Sequence, residues 1–211
     1  VLPLALATAA SGLFNKDILN LNLPTEPAEK SNGKTLLVWG GASSVGSNAI
    51  QLAIAAGYEI IATASPKNFQ YVKNLGPAQV FDYNSPSVVS ELVEVFKDKT
   101  TAGVFDAIGG AAWGPALEFA QKSGSKTVAT VLSGFTDPPE GLEIKKVYAP
   151  SILSDGIAKA VFEDFLPKAL KSGNYVAAPE PIVAGKGLES IQIGVDLLRK
   201  GVSAKKVVVV L

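Results

Sequence analysis

From Thr35 onward the sequence switches repeatedly between two hydrophobic rhythms. Runs that are apolar almost throughout occupy 35–40, 58–64, 79–82, 103–108 and 126–132, with a possible sixth at 145–148. Between them, at 45–56, 68–75, 86–97 and 113–122, apolar residues recur at helical spacing. A strand apolar on both faces must be covered on both faces, and neighbouring parallel strands need a helical crossover to join them. Right-handed crossovers then place those helices above and below one sheet. The expectation is an α/β fold with a doubly wound parallel sheet.

The flanks read differently. An apolar opening forms a helix to about Phe14, and residues 21–33, rich in Pro, Asn and Glu, read as a connector. After the sheet come a helix over 157–170, a loop ending at Pro179-Glu180-Pro181, a helix over 188–200 and an aliphatic run over 206–211. That last run requires a partner strand on each side. The expected division is an inter-domain helix and connector at 1–33, a dinucleotide-binding domain at 34–172, and a C-terminal helix and strand at 173–211. The opening has the apolar core of a secretory signal but no basic leader. The absence of Met points to a piece of a longer polypeptide.

Composition removes several chemistries. The 211 residues include 19 basic and 19 acidic side chains, with no Cys, His or Met. Without Cys and His the chain cannot supply a thiolate nucleophile, a Ser-His-Asp triad or the usual zinc, haem or iron–sulfur ligands. No metal site is expected. Zero formal charge, with the signs interspersed, gives no field to neutralise a phosphate backbone, so no nucleic-acid partner is expected. No apolar run reaches the roughly 18 residues of a membrane span, so a soluble, cytoplasmic protein with no membrane partner is expected.

The turn between the first strand and its helix is more specific. Residues 36–46 end in Gly40-Gly41-Ala42-Ser43-Ser44-Val45-Gly46, where Gly40, Ser43 and Gly46 occupy the three glycine positions of the dinucleotide fingerprint. Small residues there let a pyrophosphate approach the backbone N–H groups and the helix N-terminus. Other readings of the turn fail on single residues. Ser47 stands where a P-loop needs Lys, no Tyr has a Lys four positions on, and a hydrolase elbow would lack its His base.

About 20 residues beyond the turn, an NAD site carries an acidic residue for the ribose hydroxyl. This chain has Thr63-Ala64-Ser65-Pro66-Lys67-Asn68 instead. A hydroxyl, an ammonium and an amide suit a 2′-phosphate, whereas a carboxylate would repel it, so the cofactor expected is NADP(H). The same Ser65-Pro66 pair is also an ordinary helix start. An acidic residue is likewise usual at that place in Rossmann-like methyltransferases, which this pattern disfavours. Asp82 and Asp106 sit at strand ends, where capping is their commoner use.

Together these segments resemble the medium-chain dehydrogenase/reductase superfamily, in its zinc-independent quinone oxidoreductase and fungal enoyl-reductase branch. The resemblance is carried by Leu4–Leu13, Gly40–Gly46 with Ser47–Leu52, Thr63–Phe69, Leu75-Gly76, Val80–Tyr83, Gly187–Glu189 and Leu197–Lys206, in order and nearly end to end. It implies that Ser43, Ser44 and Val45 hold the pyrophosphate and that Ser65, Lys67, Asn68 and Tyr83 surround the 2′-phosphate. It places Thr8 near the nicotinamide and Ile108-Gly109 along the cofactor. Thr8 could equally hydrogen-bond within its helix, Tyr83 be a strand-end aromatic, and Ile108-Gly109 be a plain strand exit.

Ser43 departs from the family's middle glycine, so the pyrophosphate contact would use its hydroxyl or be looser. The resemblance further implies an N-terminal catalytic domain outside this chain, through which a small-molecule substrate is met. The run 206–211 would then be a strand whose neighbours lie in that domain. The function expected is an NADPH-dependent oxidoreductase that passes hydride to an enone, enoyl or quinone substrate, as monomer or homodimer, with little turnover from this segment alone. The alternative is a non-catalytic nucleotide-binding module with a degenerate glycine turn.

Overall fold

A computed structural model describes residues 2–132, 134, 138–153 and 155–211. Val1, the first residue of the signal-like opening, lies outside them. Helix α1 (Pro3–Phe14) leads through the connector to β1 (Lys34–Trp39), α2 (Ser44–Ala55), β2 (Glu59–Ala64), α3 (Phe69–Lys73) and β3 (Gln79–Asp82). Then follow α4 (Val88–Phe96), β4 (Thr100–Asp106), α5 (Trp113–Ser123), β5 (Thr127–Thr130) and β6 (Glu143–Lys146). All six strands are parallel, in the order β3-β2-β1-β4-β5-β6. This is the doubly wound order in which the crossovers reverse direction beside β1.

The period of two along each strand divides the core into two layers. Leu36, Val38, Ile60, Ala62 and Phe105 face α1, α2 and the later helix, whereas Leu37, Trp39, Ile61 and Val104 face α4 and α5. Both layers are closed to water, and Leu36, Leu37 and Val38 are fully buried. Burial on both faces explains why β1 carries a near-continuous apolar run and not an alternating one.

The strand and helix positions match the expected ones with shifts at their ends. β4 stops at Asp106, before the expected 108, because its next residues turn back to bond that carboxylate. β6 lies two residues earlier than expected, and the helix expected over 68–75 opens as a tight 3-10 turn, Pro66–Asn68. After β6, a π-helical stretch Lys159–Phe165 runs into α6 (Leu166–Ser172).

The terminal run needs a correction. Among the described residues strand β8 (Lys206–Val210) has one neighbour, β7 (Pro181–Lys186), which pairs with it in parallel where the sequence predicts a loop and unassigned residues. Pro181 opens the strand, the place where a missing N–H costs least. Helix α7 (Ile191–Arg199) crosses between the two. The segment before β7 is fastened to α2. Tyr175 donates its hydroxyl to Asn48 Oδ1, Gln51 Nε2 donates to the Val176 carbonyl at 3.2 Å, and the Val176 N–H donates to Gln51 Oε1 at 2.8 Å. No helix among the described residues is long and apolar enough to cross a membrane.

Candidate functional site

The reversal of crossover direction beside β1 opens a crevice at the carboxyl ends of β1 and β4, where ligands of such sheets bind. The residues that leave those strands build it. Gly40 follows β1 with φ +83°, a left-handed conformation that only glycine adopts without strain. Its N–H donates to Thr63 Oγ1 at 3.0 Å and the next N–H, of Gly41, to the Thr63 carbonyl at 2.8 Å. The end of β2 therefore holds the turn from one side, a role that sequence alone did not assign to Thr63.

Ser43 then starts α2. Its side chain accepts the Gly46 N–H at 2.9 Å, so the hydroxyl standing at the middle-glycine position is the helix N-cap and keeps its own hydrogen free to donate. At Gly46 an added Cβ would lie 2.2 Å from the Gly40 carbonyl oxygen, so the helix sits directly on the strand exit. The Ser44 and Val45 N–H groups, at the first two helical positions, have no acceptor within the helix. Under the turn, Ser47 donates to the Ser43 carbonyl at 2.8 Å and lies 2.7 Å from the Tyr71 hydroxyl. Since Ser47 has one hydrogen to give, Tyr71 is the donor of that pair. Burial raises the Tyr71 hydroxyl above its ordinary pKa, which keeps the donated proton in place.

The second wall comes from β4. The fully buried Asp106 carboxylate accepts the N–H groups of Ile108 at 3.0 Å and Gly109 at 2.9 Å, and the Thr130 hydroxyl at 2.9 Å. It is a bracket for the loop, in keeping with capping and not with general base work. Ile108 is folded over Gly40, where a Cβ would meet its side chain at 2.4 Å. Ile108, Tyr83, Trp39 and Ala112 then line a cleft of about 210 Å³.

The turn after β2 supplies the third part. Asn68 Nδ2 donates to Ser65 Oγ at 3.1 Å and, across the molecule, to Ser203 Oγ at 2.9 Å. Both hydrogens of the Asn68 amide are thus engaged. Lys67, between them, is exposed and has no carboxylate within 4.0 Å among the described residues.

The structure therefore brings Gly40, Ser43, Ser44, Val45, Tyr83, Ile108 and Gly109 to one sheet edge, with Ser65, Lys67 and Asn68 on the adjacent turn. Thr8 makes no hydrogen bond to any of them among the described residues. Its hydroxyl donates to the Leu4 carbonyl one turn back at 2.7 Å, the within-helix alternative. Two larger cavities, each about 570 Å³, lie elsewhere: one at the opposite ends of the strands beside Glu59 and Lys99, the other between α3 and the C-terminal segment. The first has neither a helix N-terminus nor a strand exit to offer a ligand.

A dinucleotide fits this donor set. Unused N–H groups stand at the start of α2, the backbone is bare at Gly40, and the bare Gly46 lets α2 sit directly on the strand exit. Residues 44–154, from the first residue of α2 past β6, match the family of zinc-binding dehydrogenases. The chain belongs to that family. Among its relatives, a zinc-binding alcohol dehydrogenase domain-containing protein of Emericella nidulans is 50% identical over 99% of this chain and 58% of its own length. A trans-enoyl reductase of Aspergillus japonicus is 39% identical over 99% of this chain and 60% of its own length. The chain thus spans about three-fifths of the length of these two relatives. Quinone oxidoreductase of Escherichia coli, solved in complex with NADPH, has the same fold, with a TM-score of 0.70, 17% identity, and coverage of 100% of this chain and 64% of that one. The family resemblance seen in the sequence, to medium-chain dehydrogenases and reductases, holds. No group of three His, Cys, Asp or Glu residues that could hold a metal ion occurs among the described residues of this family member.

Proposed function

We propose that this chain is the NADP(H)-binding portion of an oxidoreductase that passes hydride to an enone, enoyl or quinone substrate. The observation that carries the cofactor reading is the exit of β2: an exposed Lys67 with no carboxylate within 4.0 Å among the described residues, between the hydroxyl of Ser65 and the amide of Asn68, with no acidic residue in the turn. A 2′-phosphate gains a cation and donors there, and a bare ribose loses the carboxylate it normally uses. The relatives named as a trans-enoyl reductase and the NADPH-bound neighbour support the class of reaction.

In this reading Ser44 and Val45 offer their N–H groups to the pyrophosphate, helped by the positive end of α2, and the Ser43 hydroxyl can add its hydrogen. Gly40 and Gly46 let Ile108 and the start of α2 close directly onto the strand exit. Tyr83 joins Ser65, Lys67 and Asn68 around the 2′-phosphate, Ile108 and Gly109 lie along the cofactor, and Asp106 positions these two through their N–H groups. When bound, the nicotinamide supplies the hydride, so the chain's own task is placement and electrostatics. Residues 1–33, 34–172 and 173–211 would serve as connector, cofactor domain and return to a catalytic domain such as the longer relatives have room for. That domain would bring the small-molecule substrate, in a cytoplasmic monomer or homodimer without zinc. The capping role of Ser43 favours this over a degenerate, non-catalytic module, because the serine completes the helix start and does not block it.

Calorimetric titration with NADPH, NADH and adenosine 2′-monophosphate tests the proposal. NADPH should bind at least about tenfold more tightly than NADH, and Lys67→Glu should abolish the difference. Equal affinity for both dinucleotides would overturn it.

A further inference from the structure

Asn68 belongs to the turn after β2, but one of its two hydrogen bonds reaches Ser203, 135 positions later in the chain. Ser203 lies in the short loop between α7 and β8, and that loop is pinned in place. Lys205 forms an ion pair with Glu180, the Lys206 N–H donates to the Glu180 carbonyl at 2.9 Å, and Ala204 takes a left-handed φ of 49°. A non-glycine residue holds such a conformation only where its surroundings fix it. The result is a pair of hydroxyls, Ser65 and Ser203, bridged by the two N–H groups of a single amide. Each accepts from Asn68; the Ser65 hydrogen is left to give, and the Ser203 hydrogen is held only by a long 3.4 Å contact to Asn68 Oδ1, which a charged phosphate oxygen would displace.

We propose that Ser203 is a specificity-determining residue of the cofactor site, donating its hydroxyl hydrogen to a phosphate monoester held beside Lys67. The inference rests on the NADP(H) reading above. Two hydroxyl donors and an ammonium, with no carboxylate within 4.0 Å of Lys67 among the described residues, make a set for a dianion. Glu180, the carboxylate that borders the same cleft as Asn68 and Ser203, is neutralised by Lys205. Asn68 thereby changes role. Its amide does not face the phosphate but sets the spacing of the two hydroxyls that do, which makes it a positioning residue.

The test uses the 211-residue chain and its Ser203→Ala variant, titrated with NADPH, NADH, adenosine 2′-monophosphate and adenosine 5′-monophosphate. Loss of one hydrogen bond to a charged group should weaken NADPH and the 2′-monophosphate about tenfold and leave NADH and the 5′-monophosphate unchanged. Ser203→Thr, which keeps a hydroxyl, should restore the wild-type ratio. The thermal midpoint without ligand should not move, because Ser203 is exposed. An unchanged NADPH-to-NADH ratio in a wild-type chain that is itself selective overturns the role of Ser203 and leaves the cofactor reading standing. Equal weakening of all four ligands, with a lowered midpoint, assigns Ser203 to loop structure and also overturns it. A wild-type chain that binds neither NADPH nor the 2′-monophosphate removes both readings together.

Discussion

Two strands of nearly equal hydrophobicity meet opposite fates in this molecule. In β1, Leu36, Leu37 and Val38 are shut off completely between two layers of helices. In β8, Val207 to Val209 are only partly covered and Val210 is 45% exposed, with β7 on one side and α7 on one face. The polar groups divide in the same way. Around β1 the hydroxyls of Thr63 and Ser47 are engaged with Gly40 and Gly41, and the carboxylate of Asp106 with Ile108, Gly109 and Thr130. Around β8 the ion pairs are on the surface, and α7 turns Ile193 and Leu198, each 58% exposed, outward. Hydrophobicity thus states how much cover a strand can use, whereas topology decides how much it receives.

If that contrast is sound, the largest penalties fall at the carboxyl edge of β1. Gly46→Ala drives a methyl group to 2.2 Å from the Gly40 oxygen and 3.0 Å from Gly41 Cα, and neither is the end of a flexible side chain. A gain of helix propensity near 1 kcal/mol cannot offset that overlap. We expect a net loss of about 3 kcal/mol in chemical denaturation, together with loss of dinucleotide binding. Next in size is Asp106→Asn, which keeps one oxygen for the Ile108 and Gly109 N–H groups but turns an NH2 group to the buried Thr130 hydroxyl and leaves that hydroxyl without its acceptor. An unmet buried donor costs about 1–3 kcal/mol, so a loss near 2 kcal/mol is expected by the same assay. A variant as stable as wild type would mean that the Thr130 hydroxyl does not need Asp106 as its acceptor.

The sequence made the buried region legible for the same reason that makes it fragile. A strand covered on both faces must be apolar almost throughout, and the exit of β1 needs glycine at Gly40 because of its positive φ, so both leave marks that can be counted. The network beneath was not legible. Thr63, Ser47 and Tyr71 act through partners up to 24 positions away, and nothing local distinguishes such a serine from a solvated one. Asp106 was read as a cap, and a bracket for the next loop is what it is. β7 was passed over because Pro179, Pro181 and Gly185 are loop-forming residues, and only pairing with β8 makes the segment a strand. Asn68 was legible as polar, but the partner that engages it comes from the other end of the chain.

A smaller effect comes from the opposite ends of the strands. The Lys99 ammonium, followed by the Thr35 hydroxyl, holds the Glu59 carboxyl below its ordinary value of 4.5. The folded protein therefore binds this proton less readily than the unfolded chain. The pair's contribution is complete above the unfolded value and disappears as pH falls through the lowered folded one. Glu59→Gln should cost well under about 1 kcal/mol at neutral pH, since the pair is partly exposed, and should flatten the fall in stability between neutral pH and roughly pH 3. Thermal melts of both proteins across that range would show it, and parallel profiles would refute it.

The smallest expected change in stability tests the other half of the contrast. In α7 the outward residues Ile193 and Leu198 already contact water in the folded state, so exchange for serine removes little area that folding had buried. Gly194, on the inward side, is the position where an added Cβ would meet Val207 and Val209 of β8 and Ala184 of β7. The double variant Ile193→Ser, Leu198→Ser should therefore melt within about 0.5 kcal/mol of wild type, the ordinary range for exposed positions. A bulky residue at Gly194, by contrast, should pry the helix from its two strands. If the double serine variant instead loses several kcal/mol, the outward face of α7 is covered in solution, and the difference between β1 and β8 is one of partner and not of burial.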